Sequence, residues 1–242
     1  MGNYPIKLFQ LLTETDQLRN LSIKENALDS KGFPHLIEYL KNSKNLKKLY
    51  LYQNNVEKEL NSFCDYIEHT TTLEKLDIFA CIVEEEMKLF FESFQKNKSL
   101  KSIHFRSEMI EESCIELSKI FELNTTLEKI HLPGNELKEI QIKQICEGLK
   151  KNSTLKKLDL SSNIFSDQGC QHIASLLEKN SSITELSVAS CNVRDNGLIT
   201  LCESLKNNTT LTSLNLFSNA ITLNGISNLS SLIASTKHLK HM

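Results

Sequence analysis

The sequence predicts an α/β fold, a solenoid of stacked strand–turn–helix units, and three observations predict it. One apolar position recurs along the chain, at Leu18, Leu46, Leu73, Leu100, Leu127, Leu155, Ile183, Leu211 and Leu239, in steps of 27 or 28 residues. The first eight of these open a common pattern, L-x-x-L-x-L-x-x-N/C, whose leucine offsets fit neither a helix nor a strand throughout. The rest of each unit carries apolar residues at i, i+3, i+4 and i+7, one face of an α-helix. A single unit cannot bury that face alone, whereas a stack of units can.

The chain opens on "YPIKLFQLLTETDQ", where Leu8, Phe9 and Leu12 fall on the helical columns of the unit before Leu18. Residues 1–17 are therefore expected to form a capping helix, half a repeat, and residues 18–238 eight full repeats. In each repeat the L-x-L core is a strand with alternate side chains facing inward, such as Leu49 and Leu51 or Leu158 and Leu160. The turn after it reads Asn26, Asn54, Cys81, Glu108, Asn135, Asn163, Cys191 and Asn219. A polar group there can bond free backbone groups of a neighbouring repeat, and Glu108, which breaks the column, predicts a local irregularity. The helix face is Phe33, Leu36, Ile37 and Leu40 in one unit and Leu198, Leu201, Cys202 and Leu205 in another. Helices are expected to stop at Asn97, Asn124, Asn152, Asn180 and Asn208, with asparagine in a left-handed cap. Residues 239–242 begin a ninth strand.

This is the leucine-rich repeat pattern, and long units with a helix resemble the ribonuclease-inhibitor type. The resemblance covers nearly the whole chain. It implies a leucine-rich repeat solenoid, a curved horseshoe with parallel strands on the concave face and helices on the convex face. It further implies a non-enzymatic module that clasps a partner protein in the concave face. The same type occurs in nucleotide-binding immune receptors, in the activating protein of the Ran GTPase and in some bacterial effectors. The alternative it implies is a regulator of an enzyme, an inhibitor or a GTPase-activating protein, including an effector acting in a host cell. No distinct motif presents an arginine or asparagine to a nucleotide, since Arg19 and Arg106 fall on ordinary strand positions.

Binding residues are expected among the strand positions that point away from the core. The fifth residue of each unit gives Ser22, Tyr50, Asp77, His104, His131, Asp159, Ser187 and Asn215. The seventh gives Lys24, Tyr52, Phe79, Arg106, Pro133, Ser161, Ala189 and Phe217, and the third includes Lys48, Lys75, Lys129 and Lys157. Nothing in the fold requires aromatics there, yet Tyr50, Tyr52 and Phe79 cluster on adjacent strands beside Lys48, Lys75, His104 and Arg106. Aromatic and arginine side chains are the enriched anchors of protein interfaces. The units from Leu46, Leu73 and Leu100 are also the shorter ones, lacking the helix-start glycine of Gly32, Gly169, Gly197 and Gly225. The expected partner-binding set is Lys48, Tyr50, Tyr52, Lys75, Asp77, Phe79, His104, Arg106 and His131.

Asp77, His104, His131 and Asp159 share the fifth column, and two His with two Asp suit zinc or acid–base chemistry. A spaced row on an open strand surface makes a poor tetrahedron and excludes no water. The expectation is a solvated polar stripe, pH-sensitive within an interface. Glu84, Glu85 and Glu86 precede a helix and are expected to be a solvated cap.

Composition excludes several classes. The net charge of −2 gives no field for nucleic acid or acidic membrane. No run approaches the roughly 18 apolar residues of a membrane span. The start lacks a secretory signal, and Ile6 spoils a myristoylation motif at Gly2. Seven cysteines without a CxxC pair argue for a reducing compartment, with no zinc site or disulfide framework. Recurrent N-x-S/T triplets are expected to be turn chemistry. No phosphate loop, nucleophile elbow or HExxH occurs. The expectation is a monomeric cytoplasmic binder of a protein, in the host cytosol if a secreted effector, with no cofactor.

Overall fold

The computed structural model describes residues 4–24, 32–54, 56, 59–83 and 86–241, with the backbone alone for residues 4–6. Gly2, Asn26, Glu84, Glu85 and Met242 lie outside the described residues. The chain forms two compact units, Met1–Ser107 and Glu108–Met242.

The first unit runs α1 (Tyr4–Thr15), β1 (Asn20–Lys24), α2 (Phe33–Asn42), β2 (Lys48–Tyr52), α3 (Leu60–His69), β3 (Lys75–Phe79), α4 (Met87–Glu92) and β4 (Ser102–Arg106). Its strands are parallel and pair in chain order, with Leu21, Leu49, Leu76 and Ile103 side by side. The repeat period thus sets equivalent residues next to each other, and the alternation buries Leu49, Leu51, Leu76 and Ile78. The helices close the other side with aromatic rings. Phe63 lies 6.1 Å from Phe33 and 6.4 Å from Phe90, and Phe90 stacks 5.6 Å from Phe105. In α1, Phe9 is buried against Tyr39, while Leu8, expected inward, is half exposed.

The second unit runs α5 (Glu111–Leu123), β5 (Lys129–His131), α6 (Glu139–Leu149), β6 (Lys157–Asp159), α7 (Ser166–Leu177), β7 (Glu185–Ser187), α8 (Asp195–Leu205), β8 (Ser213–Asn215) and α9 (Leu223–Ser235). β5 to β8 are parallel and in chain order. These strands stop at the fifth repeat position, so Pro133, Ser161, Ala189 and Phe217 lie just past them. The chain turns there through a left-handed residue, Gly134, Ser162, Ser190 or Ser218, as it does at Gln53 and Ala80. Ser107, beside Glu108, lacks this conformation, and the division between units falls at the same place. The predicted helix faces are buried from α5 to α8, whereas Ile226 and Ile233 of α9 are exposed.

Two side-chain ladders satisfy the buried backbone. At the strand-exit turn, the Asn163 amide donates to Leu132 O at 2.9 Å and Leu160 O at 2.7 Å, Asn219 does the same in its repeat, and Asn54 donates to Ile23 O and Tyr52 O. The thiols of Cys81 and Cys191 take this role at Leu51 O and Leu160 O. The second ladder corrects an expectation. Asn97, Asn124, Asn152, Asn180 and Asn208 are not left-handed, and Asn124 is extended at φ −80° and ψ 129°. Their Oδ1 accepts from the amides two and three residues on, and the Nδ2 of Asn97, Asn152, Asn180 and Asn208 donates to the preceding repeat, as Asn152 does to Phe121 O at 2.8 Å. In four of the N-x-S/T triplets the hydroxyl bonds the same Oδ1, at Thr126, Thr154, Ser182 and Thr210, so these triplets build turns around buried amides.

All seven cysteines are free and buried, and burial pushes the thiols of Cys64, Cys114, Cys170 and Cys191 up to about 12. Among the described residues, no helix is long and apolar enough to cross a membrane.

Candidate interaction surface

The register of the first unit assembles the predicted cluster. It sets Ser22, Tyr50, Asp77 and His104 in one row and Lys24, Tyr52, Phe79 and Arg106 in the next. Neighbouring parallel strands are about 4.8 Å apart, so long side chains touch across each row. Tyr52 and Phe79 meet edge to face with centroids 6.1 Å apart. Each ring of the cluster also carries a cation. Lys24 Nζ lies 4.6 Å from the Tyr52 centroid, Lys75 Nζ 5.0 Å from Tyr50 and Arg106 Cζ 4.8 Å from Phe79. Such pairs are worth about 0.5–1 kcal/mol at exposed sites, enough to orient long side chains. Lys24 was not singled out from sequence, although its place in the column beside Tyr52 was the available signal.

Asp77 departs from expectation. It points away from the core, yet it is only 4% exposed, so it is no solvated stripe. Its neighbours close over it: Oδ2 lies 3.2 Å from His104 Nδ1 and 3.9 Å from Lys75 Nζ. Oδ1 is buried without a hydrogen bond. Burial first, and then the nearby Asp77 carboxylate, push the Tyr52 hydroxyl up to about 12, so the phenol stays neutral.

The predicted row of two His and two Asp is realised as one pair in each unit. In the second unit, His131 Nδ1 lies 3.3 Å from Asp159 Oδ2. Burial alone would raise the Asp159 carboxyl. Hydrogen bonds from His131 and from the Ser161 hydroxyl (2.6 Å) and amide (3.0 Å) outweigh it and hold the group at about 2. Lys48, Tyr50, Tyr52, Lys75, Asp77, Phe79, His104 and Arg106 thus share one face of the first unit, and His131 belongs to the second. Among the described residues, no three His, Cys, Asp or Glu side chains converge as a metal ion would require.

Comparison with known proteins agrees with this architecture. Residues 151–174, 179–202 and 207–230 match the family described as Leucine Rich repeat. Similar solved structures include actin-binding site 2 of leiomodin-1, 18% identical over 56% of this chain and 79% of that one, with a TM-score of 0.49. Another is the C-terminal domain of tropomodulin from Caenorhabditis elegans, 13% identical over 62% of this chain and 92% of that one, with a TM-score of 0.52. At that identity the tropomodulin likeness speaks for the fold alone. No curated protein sequence matches the chain. Residues 151–230 thus carry three leucine-rich repeats matched directly by the family, and the strand, ladder turn and helix of the remaining units give the chain the fold of a leucine-rich repeat solenoid, similar to the ribonuclease-inhibitor type.

Proposed function

We propose that the chain is a non-enzymatic protein-interaction module that binds a partner protein through the strand face of its first unit, centred on Tyr50, Tyr52, Phe79 and Arg106. One observation carries this reading: three aromatic rings stand half-buried on an open sheet face, each with a cation held against it. The fold does not demand them. At equivalent positions the second unit has His131, Pro133, Asp159, Ser161, Ser187, Ala189 and Asn215, with Phe217 its single aromatic. Rings that fold an array belong inside it, where Phe63, Phe90 and Phe105 already lie. Rings beside arginine on the open face have the composition of an interface core.

The test is affinity capture from lysate with the intact protein, beside a Tyr50→Ala, Tyr52→Ala, Phe79→Ala triple variant and an Arg106→Glu variant. Thermal melts of all three proteins accompany it. Because Arg106 is exposed, its variant keeps the fold even if the triple variant softens. A protein held by the intact chain and lost by both variants supports the proposal, and equal retention by all three places binding elsewhere.

A further inference from the structure

We infer that the strand face of the first unit takes an acidic segment of its partner, an extended peptide with carboxylates on either side of an apolar residue. This rests on the binding surface proposed above and adds the chemistry of what it binds.

The charges of the chain are segregated. On β1 to β4 the outward positions carry Lys24, Lys48, Lys75 and Arg106 against the single carboxylate of Asp77, a net of three positive charges in a chain whose total is −2. The equivalent positions of the second unit carry Lys129 and Lys157 against Asp159 and Glu185, a net of zero. Each unit has one lysine–carboxylate and one histidine–carboxylate pair on these positions, so the surplus of cations stays with the first. In the second unit Lys157 meets Glu185 at 3.1 Å, and His131 meets Asp159. In the first, among the described residues, no carboxylate comes within 4.0 Å of Lys48 or Arg106. Their surroundings keep both cations on the surface, with Lys48 exposed and Arg106 laid along Phe79. A ring holds a guanidinium in place without neutralising it, so the charge remains available to a carboxylate.

The layout sets the spacing. Lys48 on β2 and Arg106 on β4 stand two strand intervals and four strand positions apart, about 16 Å, with Tyr50 and Phe79 beside the line that joins them. An extended chain laid obliquely across the strands covers that span in about five residues. Carboxylates at the ends would meet the two cations, with an apolar side chain over the rings between them.

The experiment uses the full chain and three fluorescein-labelled peptides of one scaffold, followed by anisotropy. Each has a central tyrosine flanked at both sides by Glu, by Gln or by Lys. The Glu peptide is expected to bind at least about tenfold more tightly than the Gln peptide and to weaken as salt rises. The Lys peptide should not bind. A Lys48→Glu, Arg106→Glu variant of unchanged melting behaviour should invert the order of the Glu and Lys peptides. Equal binding of the Glu and Gln peptides, no binding of any peptide, or an unchanged order in the reversed variant overturns the inference. Tighter binding of a single-stranded oligonucleotide than of the Glu peptide also overturns it, assigning the cations to phosphates. If lysate capture is abolished by the aromatic triple variant and untouched by the charge reversal, the surface stands and the acidic segment falls.

Discussion

Replacing Asn180 with alanine removes a buried node of the helix-exit ladder and should cost about 3–5 kcal/mol, far above a typical substitution. Asn180 is 3% exposed. Its Nδ2 donates to Leu149 O at 2.8 Å and Asn152 O at 2.9 Å. Its Oδ1 accepts from Ser182 N and Ile183 N, both at 2.9 Å, and from the Ser182 hydroxyl at 3.1 Å. Alanine leaves the Ser182 and Ile183 amides without a partner in a closed interior, while Leu149 O keeps the Asn152 amide and Asn152 O the Ser182 hydroxyl. Each buried group so stranded costs about 1–3 kcal/mol, less whatever a trapped water recovers. Urea unfolding by circular dichroism reads the change as a lower midpoint. The converse is available in the first unit, where Thr70 occupies the same column with only a hydroxyl, 3.5 Å from Leu73 N. By analogy with Asn97, which bonds Ile67 O at 2.6 Å, an amide at position 70 would address Leu40 O and Ser43 O. Both residues line an open cleft of about 380 Å³, which gives the larger side chain room. Thr70→Asn is therefore expected to stabilise by about 1 kcal/mol, the net worth of a good hydrogen bond. A cost below about 1 kcal/mol for Asn180→Ala, or a destabilised Thr70→Asn, would refute the ladder as a principal source of stability.

Two further outcomes follow from the same geometry. The folded Asp159 carboxyl sits at about 2, below its ordinary 3.8, so its contribution is complete above pH 4 and is lost as pH falls toward 2. This is worth about 2 kcal/mol. The urea midpoint of Asp159→Asn should therefore lie below that of the parent at pH 6 and converge with it near pH 2, and a constant gap would contradict the assignment. Gly148→Ala should destabilise by about 1–3 kcal/mol despite alanine's better helix propensity, because a Cβ there would run into the Ser118 carbonyl and Cα of α5. A raised melting temperature for that variant would show that the two helices separate freely.

The fold was legible because it is written as a period. The recurring leucines gave strands, inward alternation and helix faces, and Glu108 marked the place where the turn conformation changes. The aromatic cluster was legible for the same reason, since one register sets Tyr50, Tyr52, Phe79 and Arg106 side by side. Three features were not. The asparagines at helix ends looked like left-handed caps, because that preference is local, whereas their bonds run to residues about 30 positions back. The burial of Asp77 depends on how Lys75 and His104 fold over it, which alternation cannot express. The shorter strands of the second unit depend on where the turn begins, and residues such as Ser161 and Ala189 do not announce it.

Because the core uses only alternate strand residues, binding and folding can be separated by experiment in the first unit. Leu49, Leu51, Leu76 and Ile78 are buried to within 1% and hold the sheet to the helices. Lys48 and Arg106 point the other way and can be reversed in charge without touching that core. Asp77 is the exception, an outward residue that is nevertheless buried and set among Lys75, His104 and Tyr52. Removing its charge would disturb the orientation of those side chains together with the local electrostatics, so a loss of binding in Asp77→Asn would not distinguish contact from collapse. Arg106 is the cleaner probe, and Asp77 is better understood as the group that draws the basic side chains together on this face.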